Sequence, residues 1–144
     1  MGKVEFHHGM ADKIGYACRL LRKAYRSGAH VVVTADEATL KTLDKQLWVW
    51  EDQEFIPHIL VLQGRAVAER QLHTPIWITD QPITAPVDRT TLINLGQSLP
   101  DGLDRFDRLF EVVTTEPEDR QAGRRRWKQY ESMGWTIQPH EVKE

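Results

Sequence analysis

Between residues 120 and 130 the chain sets Arg120, Arg124, Arg125, Arg126 and Lys128 in a row with no acid among them, and adds Trp127 and Tyr130. On a helix, positions 120, 124 and 127 stand at i, i+4 and i+7, so Arg120, Arg124 and Trp127 share one face. Two guanidiniums beside a flat apolar ring suit a ligand that is both anionic and aromatic, such as a peptide end with its carboxylate. Arginine forks two hydrogen bonds onto a carboxylate, and an indole gives a side chain something to pack against. Arg125, about 100° further round the helix, falls off that face. A plainer reading stays open, in which the arginines form a solvated face and Trp127, Tyr130 and Met133 turn to the core. A second group of aromatic residues, Trp48 and Trp50, ends the second helical pattern. Tryptophans at an element's end are favoured in contact sites.

Other chemistries leave no trace. The six histidines His7, His8, His30, His58, His73 and His140 are scattered, without the H-E-x-x-H spacing of a zinc site, and read as surface or turn residues. The first strand-to-helix turn, His7-His8-Gly9-Met10-Ala11, has one glycine, where a dinucleotide site needs a G-x-G-x-x-G run. A phosphate loop and a G-x-S-x-G elbow are both missing. The single cysteine, Cys18, sits in an apolar helical pattern and reads as a buried, inert thiol. The expectation is a protein with no catalytic residues, metal or cofactor of its own.

The elements that must position these residues follow from periodicity. Val4 and Phe6 alternate with Lys3 and Glu5, which predicts a strand. Asp12 then caps a helix whose buried stripe is Ile14, Ala17, Cys18, Leu21 and Tyr25, and Ser27-Gly28 ends it. Arg19, Arg22, Lys23 and Arg26 fall largely off that stripe. Val31-Val32-Val33 reads as a central parallel strand covered on both faces. Thr34-Ala35-Asp36-Glu37 reads as a capping box that opens a helix buried through Leu40, Leu43 and Leu47. Strands are predicted over 59–62, 76–79, 91–95 and 109–113, separated by proline- and glycine-bearing loops. The last helix starts near Pro117 and stops at Gly134, and a short strand over 135–137 closes the chain. The fold class is α/β: one Rossmann-like, three-layer domain over 1–144, with a mostly parallel sheet of about five to seven strands and no nucleotide-binding motif.

The bulk numbers agree with a soluble domain. Of the 144 residues, 40% are apolar and 28% charged, with a net charge of −2, so any role at nucleic acid must come from a local patch or a partner. No apolar run approaches the roughly 20 residues of a membrane span, and the N-terminal residues lack a signal-peptide core, which points to the cytoplasm.

Several motifs together resemble one family, the chi subunits of bacterial DNA polymerase III. They are Tyr25-Arg26-Ser27-Gly28, Leu43-Asp44-Lys45-Gln46-Leu47-Trp48, Phe55-Ile56-Pro57-His58, Glu111-Val112-Val113, and Arg124-Arg125-Arg126-Trp127-Lys128-Gln129-Tyr130 before Met133-Gly134. The resemblance covers nearly the whole chain. It implies a Rossmann-like fold without catalysis, acting as an accessory of the clamp-loader complex. It also implies a pocket for the acidic, phenylalanine-ending C-terminal tail of single-stranded-DNA-binding protein. By position, Arg120, Arg124, Trp127, Trp48 and Lys128 match the tail-binding residues. Phe55, Pro57 and His58 match the surface that docks the subunit psi. The family's usual Lys and Tyr stand here as Arg120 and Trp127, which keeps charge and ring, and the stretch from Val113 to Arg120 looks shorter. The alternative is a module that binds single-stranded nucleic acid directly through the Arg-rich helix.

Overall fold

The computed structural model describes residues 2–49 and 55–143. Trp50 and the polar run 51–54 lie outside the described residues. Seven strands form one sheet: β1 (Lys3–Met10), β2 (Val31–Thr34), β3 (His58–Val61), β4 (Ile76–Thr79), β5 (Thr91–Asn94), β6 (Arg108–Thr114) and β7 (Thr136–Glu141). Their order is β3-β4-β2-β5-β6-β1-β7, and every pairing is parallel. Among the described residues three of the six connections are α-helices, α1 (Lys13–Arg26), α2 (Glu37–Val49) and α3 (Pro117–Ser132), and the other three carry short 3-10 turns.

Side chains alternate across this sheet, as a pleat requires. Val31, Val33, Ile76, Ile78, Ile93 and Val112 pack under α1 and α2 with Leu21, Leu40, Leu43 and Leu47. Val4, Phe6, Val32, Trp77, Leu92, Leu109 and Val113 face the other way, toward Tyr130 of α3. Covered on both faces, the middle strands are apolar runs with no polar alternation. Among the described residues α3 is the one α-helix that covers the second face. Over β3, β4 and β2 the cover comes from loops that bury Ala85, Leu103 and Phe106. Two arginines tie those loops down. Arg89 donates to the carbonyls of Leu72, Thr74 and Pro75, and Arg105 to those of Pro82, Ile83 and Pro86. Buried carbonyls need partners, and guanidiniums supply several donors each in place of a helix.

Most boundaries follow the sequence reading, with three corrections. The cap of α2 is Asp36, not Thr34: its carboxylate accepts from the Thr39 amide at 3.2 Å and the Thr39 hydroxyl at 2.6 Å, while Thr34 ends β2. Second, β1 does not turn at His7 but runs on to Met10, pairing His7 and His8 with β6 and β7 before a bulge at Gly9, whose φ is 98°. His7 is therefore buried in β1, and His58, the first residue of β3, is buried as well; neither is a surface or turn residue. Third, β7 extends to Glu141 and takes in Pro139, which a strand tolerates at an edge. Asp12 caps α1 by accepting from the Gly15 amide at 3.1 Å, and Cys18 is buried, its thiol pushed up to about 11 chiefly by burial. Among the described residues no helix is long and apolar enough to cross a membrane.

Candidate functional site

The position of α3 is set by buried ions. Arg126, the last of the three consecutive arginines, is 1% exposed and donates from Nε to the Glu111 carboxylate of β6 at 2.8 Å. Tyr130, one turn on, donates to the same carboxylate at 2.7 Å, and Asn94 at 3.0 Å. Complete burial pushes the Glu111 carboxyl above its ordinary range, while Arg126 and the hydrogen bonds from Asn94 and Tyr130 pull it back. At the start of α3, Asp119 accepts from the Thr114 amide at 2.7 Å and from Lys13 of α1 at 3.0 Å. Burial alone would raise its carboxyl, yet those donors hold it below the usual value. The helix is thus held to β6 at two points, by the Arg126–Glu111 ion pair and by the Thr114 amide on Asp119, while Lys13 pairs the same Asp119 to α1.

With α3 fixed, the face that carries Arg120, Arg124 and Trp127 closes over the C-terminal ends of β1, β6 and β7. A hollow of about 530 Å³ results, lined by Phe6, Val113, Arg120, Gly123, Arg124 and Trp127 together with Pro139 and Glu141. Small-ligand sites usually span about 300–1,000 Å³. The floor is aromatic: the Phe6 and Trp127 rings lie 4.9 Å apart, centre to centre. Gly123 decides the depth, because a Cβ there would stand 2.9 Å from one Val113 methyl and 3.1 Å from the other. Val113 is therefore a wall of the hollow even though the connection to Arg120 is short. Arg120 and Arg124 are exposed at its mouth, and among the described residues neither forms an ion pair. Arg125 is exposed but is no part of the lining.

Two of the residues grouped with this site on sequence grounds stand apart from it. Lys128 is exposed one turn beyond Arg124 and does not line the hollow. Trp48 is not a wall at all. It ends α2, which packs against α1, β3 and β4, and β3 is the opposite edge of the sheet from β7. Five strand spacings separate β3 from β1, on the order of 24 Å.

Trp48 instead builds a second feature with the residues matched to psi docking. It is 61% exposed, and its ring lies 5.2 Å from that of Phe55 and 4.9 Å from that of His58. Phe55 is 52% exposed and Pro57 half-buried. His58, by contrast, is buried. Its Nδ1 donates to the Ile56 carbonyl at 2.6 Å, and its Nε2 lies 3.2 Å from Asp44 Oδ1. It supports the two exposed rings from beneath and offers little surface itself. The Trp48–Phe55 pairing leaves one signal in the sequence, that both rings flank the same short polar run. Among the described residues no group of three or more His, Cys, Asp or Glu side chains is placed to hold a metal ion.

Comparison with known proteins agrees with the motifs. Residues 1–138 match the family described as DNA polymerase III chi subunit, HolC. The DNA polymerase III subunit chi of Pseudomonas aeruginosa is 35% identical over 133 residues, covering 90% of this chain and 87% of that protein. The subunit chi of Haemophilus influenzae is 32% identical over 130 residues, with 88% and 85% covered. That of Escherichia coli is 27% identical over 121 residues, with 83% and 79% covered. With its all-parallel Rossmann-like sheet, the chain belongs to the family of DNA polymerase III chi subunits, accessory components of DNA replication.

Proposed function

We propose that the chain is a non-catalytic link in the replication complex, gripping the acidic C-terminal tail of single-stranded-DNA-binding protein at the α3 hollow and docking psi through the Trp48–Phe55 face. The observation that carries the first half is the convergence of Arg120 and Arg124 on one aromatic-floored recess. A terminal phenylalanine needs a ring-lined hollow for its side chain and a cation for its carboxylate, and here both lie within one helical turn of each other. Arg124, between Arg120 and Trp127 on the helix face, is the main anchor, and Lys128 adds only long-range attraction for the acidic tail. Tethering of this kind tolerates weak individual contacts, because linkage raises the effective concentration. The psi half rests on two exposed rings packed on a buried histidine, a pattern more typical of a protein contact than of a solvated surface.

The deciding experiment titrates an acidic peptide ending in phenylalanine, and separately a single-stranded oligonucleotide, against wild type, Arg124→Ala and Arg125→Ala. Peptide binding that falls with Arg124→Ala and holds with Arg125→Ala supports the tail site. Equal losses would mean a diffuse cationic surface. Oligonucleotide binding lost with Arg124→Ala would favour direct nucleic-acid recognition by α3. The non-catalytic half fails if hydrolytic or transfer activity copurifies with the protein and vanishes on a point mutation.

A further inference from the structure

The opposite face of β1 carries a second cavity that the tail and psi readings leave unused. It has a volume of about 420 Å³ and lies between the C-terminal half of α1 and the N-terminal ends of β5 and β6. Four rings line it. His7 sits at the centre, 4.7 Å from His140, 5.3 Å from Phe110 and 5.6 Å from Tyr16, centre to centre. Around them stand Arg19 and Lys23 from α1 and Arg108 from β6. The carboxylate in the lining, Glu5, is engaged by Arg108 through hydrogen bonds of 2.7 and 3.1 Å. Guanidinium groups already lie over two of the rings, Arg108 over Phe110 at 4.6 Å and Arg19 over Tyr16 at 5.7 Å.

Two further observations point to a ligand. His7 is 6% exposed, its Nδ1 is hydrogen-bonded to the Tyr16 hydroxyl, and its buried Nε2 has no hydrogen-bond partner among the described residues. Burial first, and then the neighbouring His140, lower its pKa to about 4, so the ring is neutral near pH 7 and has one nitrogen left to offer. A buried polar atom without a partner is costly unless something supplies one. The second observation concerns α1 itself, which holds Lys13, Arg19, Arg22, Lys23 and Arg26 and no Asp or Glu. Arg19, Lys23 and Arg26 are exposed at i, i+4 and i+7, a line of cations that continues past the groove.

We infer that this groove binds single-stranded nucleic acid, stacking one base among the His7, Tyr16, Phe110 and His140 rings while the backbone phosphates follow Arg19, Lys23 and Arg26. Stacking on rings beside a cationic track is how strands are held without sequence preference. An acidic peptide would satisfy the cations but has no flat ring at each repeat. A free nucleotide would not need the cations beyond the groove. The site lies on the sheet face opposite the α3 hollow, so a strand and a tail could be held at once.

The test is fluorescence polarisation at low salt with a fluorescein-labelled oligothymidylate about 12 nucleotides long, within the usual footprint of about 4–16 per site. Wild type should bind, with affinity falling with salt at a logarithmic slope of about −2, as expected when roughly three phosphates are engaged. The exposed pair Arg19→Glu with Lys23→Glu should weaken binding at least about tenfold while the circular dichroism spectrum stays that of the folded protein, and Arg124→Glu should leave binding intact. An oligonucleotide carrying 5-iodouracil should crosslink under ultraviolet light to Tyr16 or Phe110. Absence of binding at low salt, crosslinks on α3, or an equal loss with Arg124→Glu would overturn the assignment. Adenosine monophosphate competing as well as the oligonucleotide would overturn the strand. A weaker acidic-peptide titration in the Arg19→Glu, Lys23→Glu variant would make the groove a peptide site instead. Failure of the tail reading shows separately, as peptide binding indifferent to Arg124→Ala.

Discussion

The two edges of the sheet solve different problems. At the β1–β7 edge, ions are sunk into the fold so that α3 stands at one height, and two further arginines border a recess. At the β3 edge, two large rings are left more than half in solvent on a buried histidine. A recess with charge at its mouth selects a small end-group, because carboxylate and ring must both fit. Exposed stacked rings select a surface, because their gain comes from area removed from water. The same residue type does opposite work within three positions of α3: Arg124 faces the recess, while Arg126 holds the helix down.

That contrast breaks first at Arg126. Truncating one partner of a buried pair strands the other charge, so Arg126→Ala should cost about 3–5 kcal/mol in a denaturant titration. Arg124→Ala should cost less than about 0.5 kcal/mol of stability. If the two are alike, α3 is not organised by buried charge.

Acid should act on the first edge more than on the second. His7 has its folded pKa lowered to about 4 from an ordinary 6.5. The unfolded chain therefore takes up this proton first. Stability contributed by the neutral ring is present above pH 6.5 and declines as pH falls toward 4, by about 2–3 kcal/mol at most. Asp119, with its carboxyl held low, keeps its contribution until pH drops below the ordinary carboxylate value near 4. Melting curves from pH 7 to 4 should show the decline in wild type and a flatter profile in His7→Gln.

In binding, Arg124→Ala should weaken the acidic peptide by at least about tenfold, or about 1.4 kcal/mol. High salt should reduce the remaining affinity without abolishing it, since ring burial is not screened. Isothermal titration at two salt concentrations gives both numbers. The smallest effect belongs to the second edge. Phe55→Ala should change stability by less than about 1 kcal/mol, because half the ring is already in water, while psi capture in a pull-down is lost. A loss of several kcal/mol would make Phe55 a core residue and remove the docking face.

Much of this was legible in the chain. The stripes of α1 and α2, the apolar middle strands and the shared face of Arg120, Arg124 and Trp127 all follow from periodicity, which depends only on local geometry. The misreadings have one common cause. Arg126 belongs by local pattern to a solvated run, because the acid that pairs with it, Glu111, lies on a strand whose sequence signal is its apolar residues. His7 looked like a turn residue, because β1 gains its last residues from pairing with β6 and β7.

Local pattern by itself therefore determined which residues share a helix face, where elements begin and end to within a few positions, and, through its motifs, the family. Strand order belongs to tertiary structure alone, since it depends on which sheet faces the crossing helices cover. It sent Trp48 to the far edge to meet Phe55 and brought α3 over β1, β6 and β7. Which arginine of the run is buried was likewise decided by a partner fifteen residues away, and the depth of the hollow by two Val113 methyls against the bare Cα of Gly123. Those are distances between elements, and no spacing along the chain encodes them.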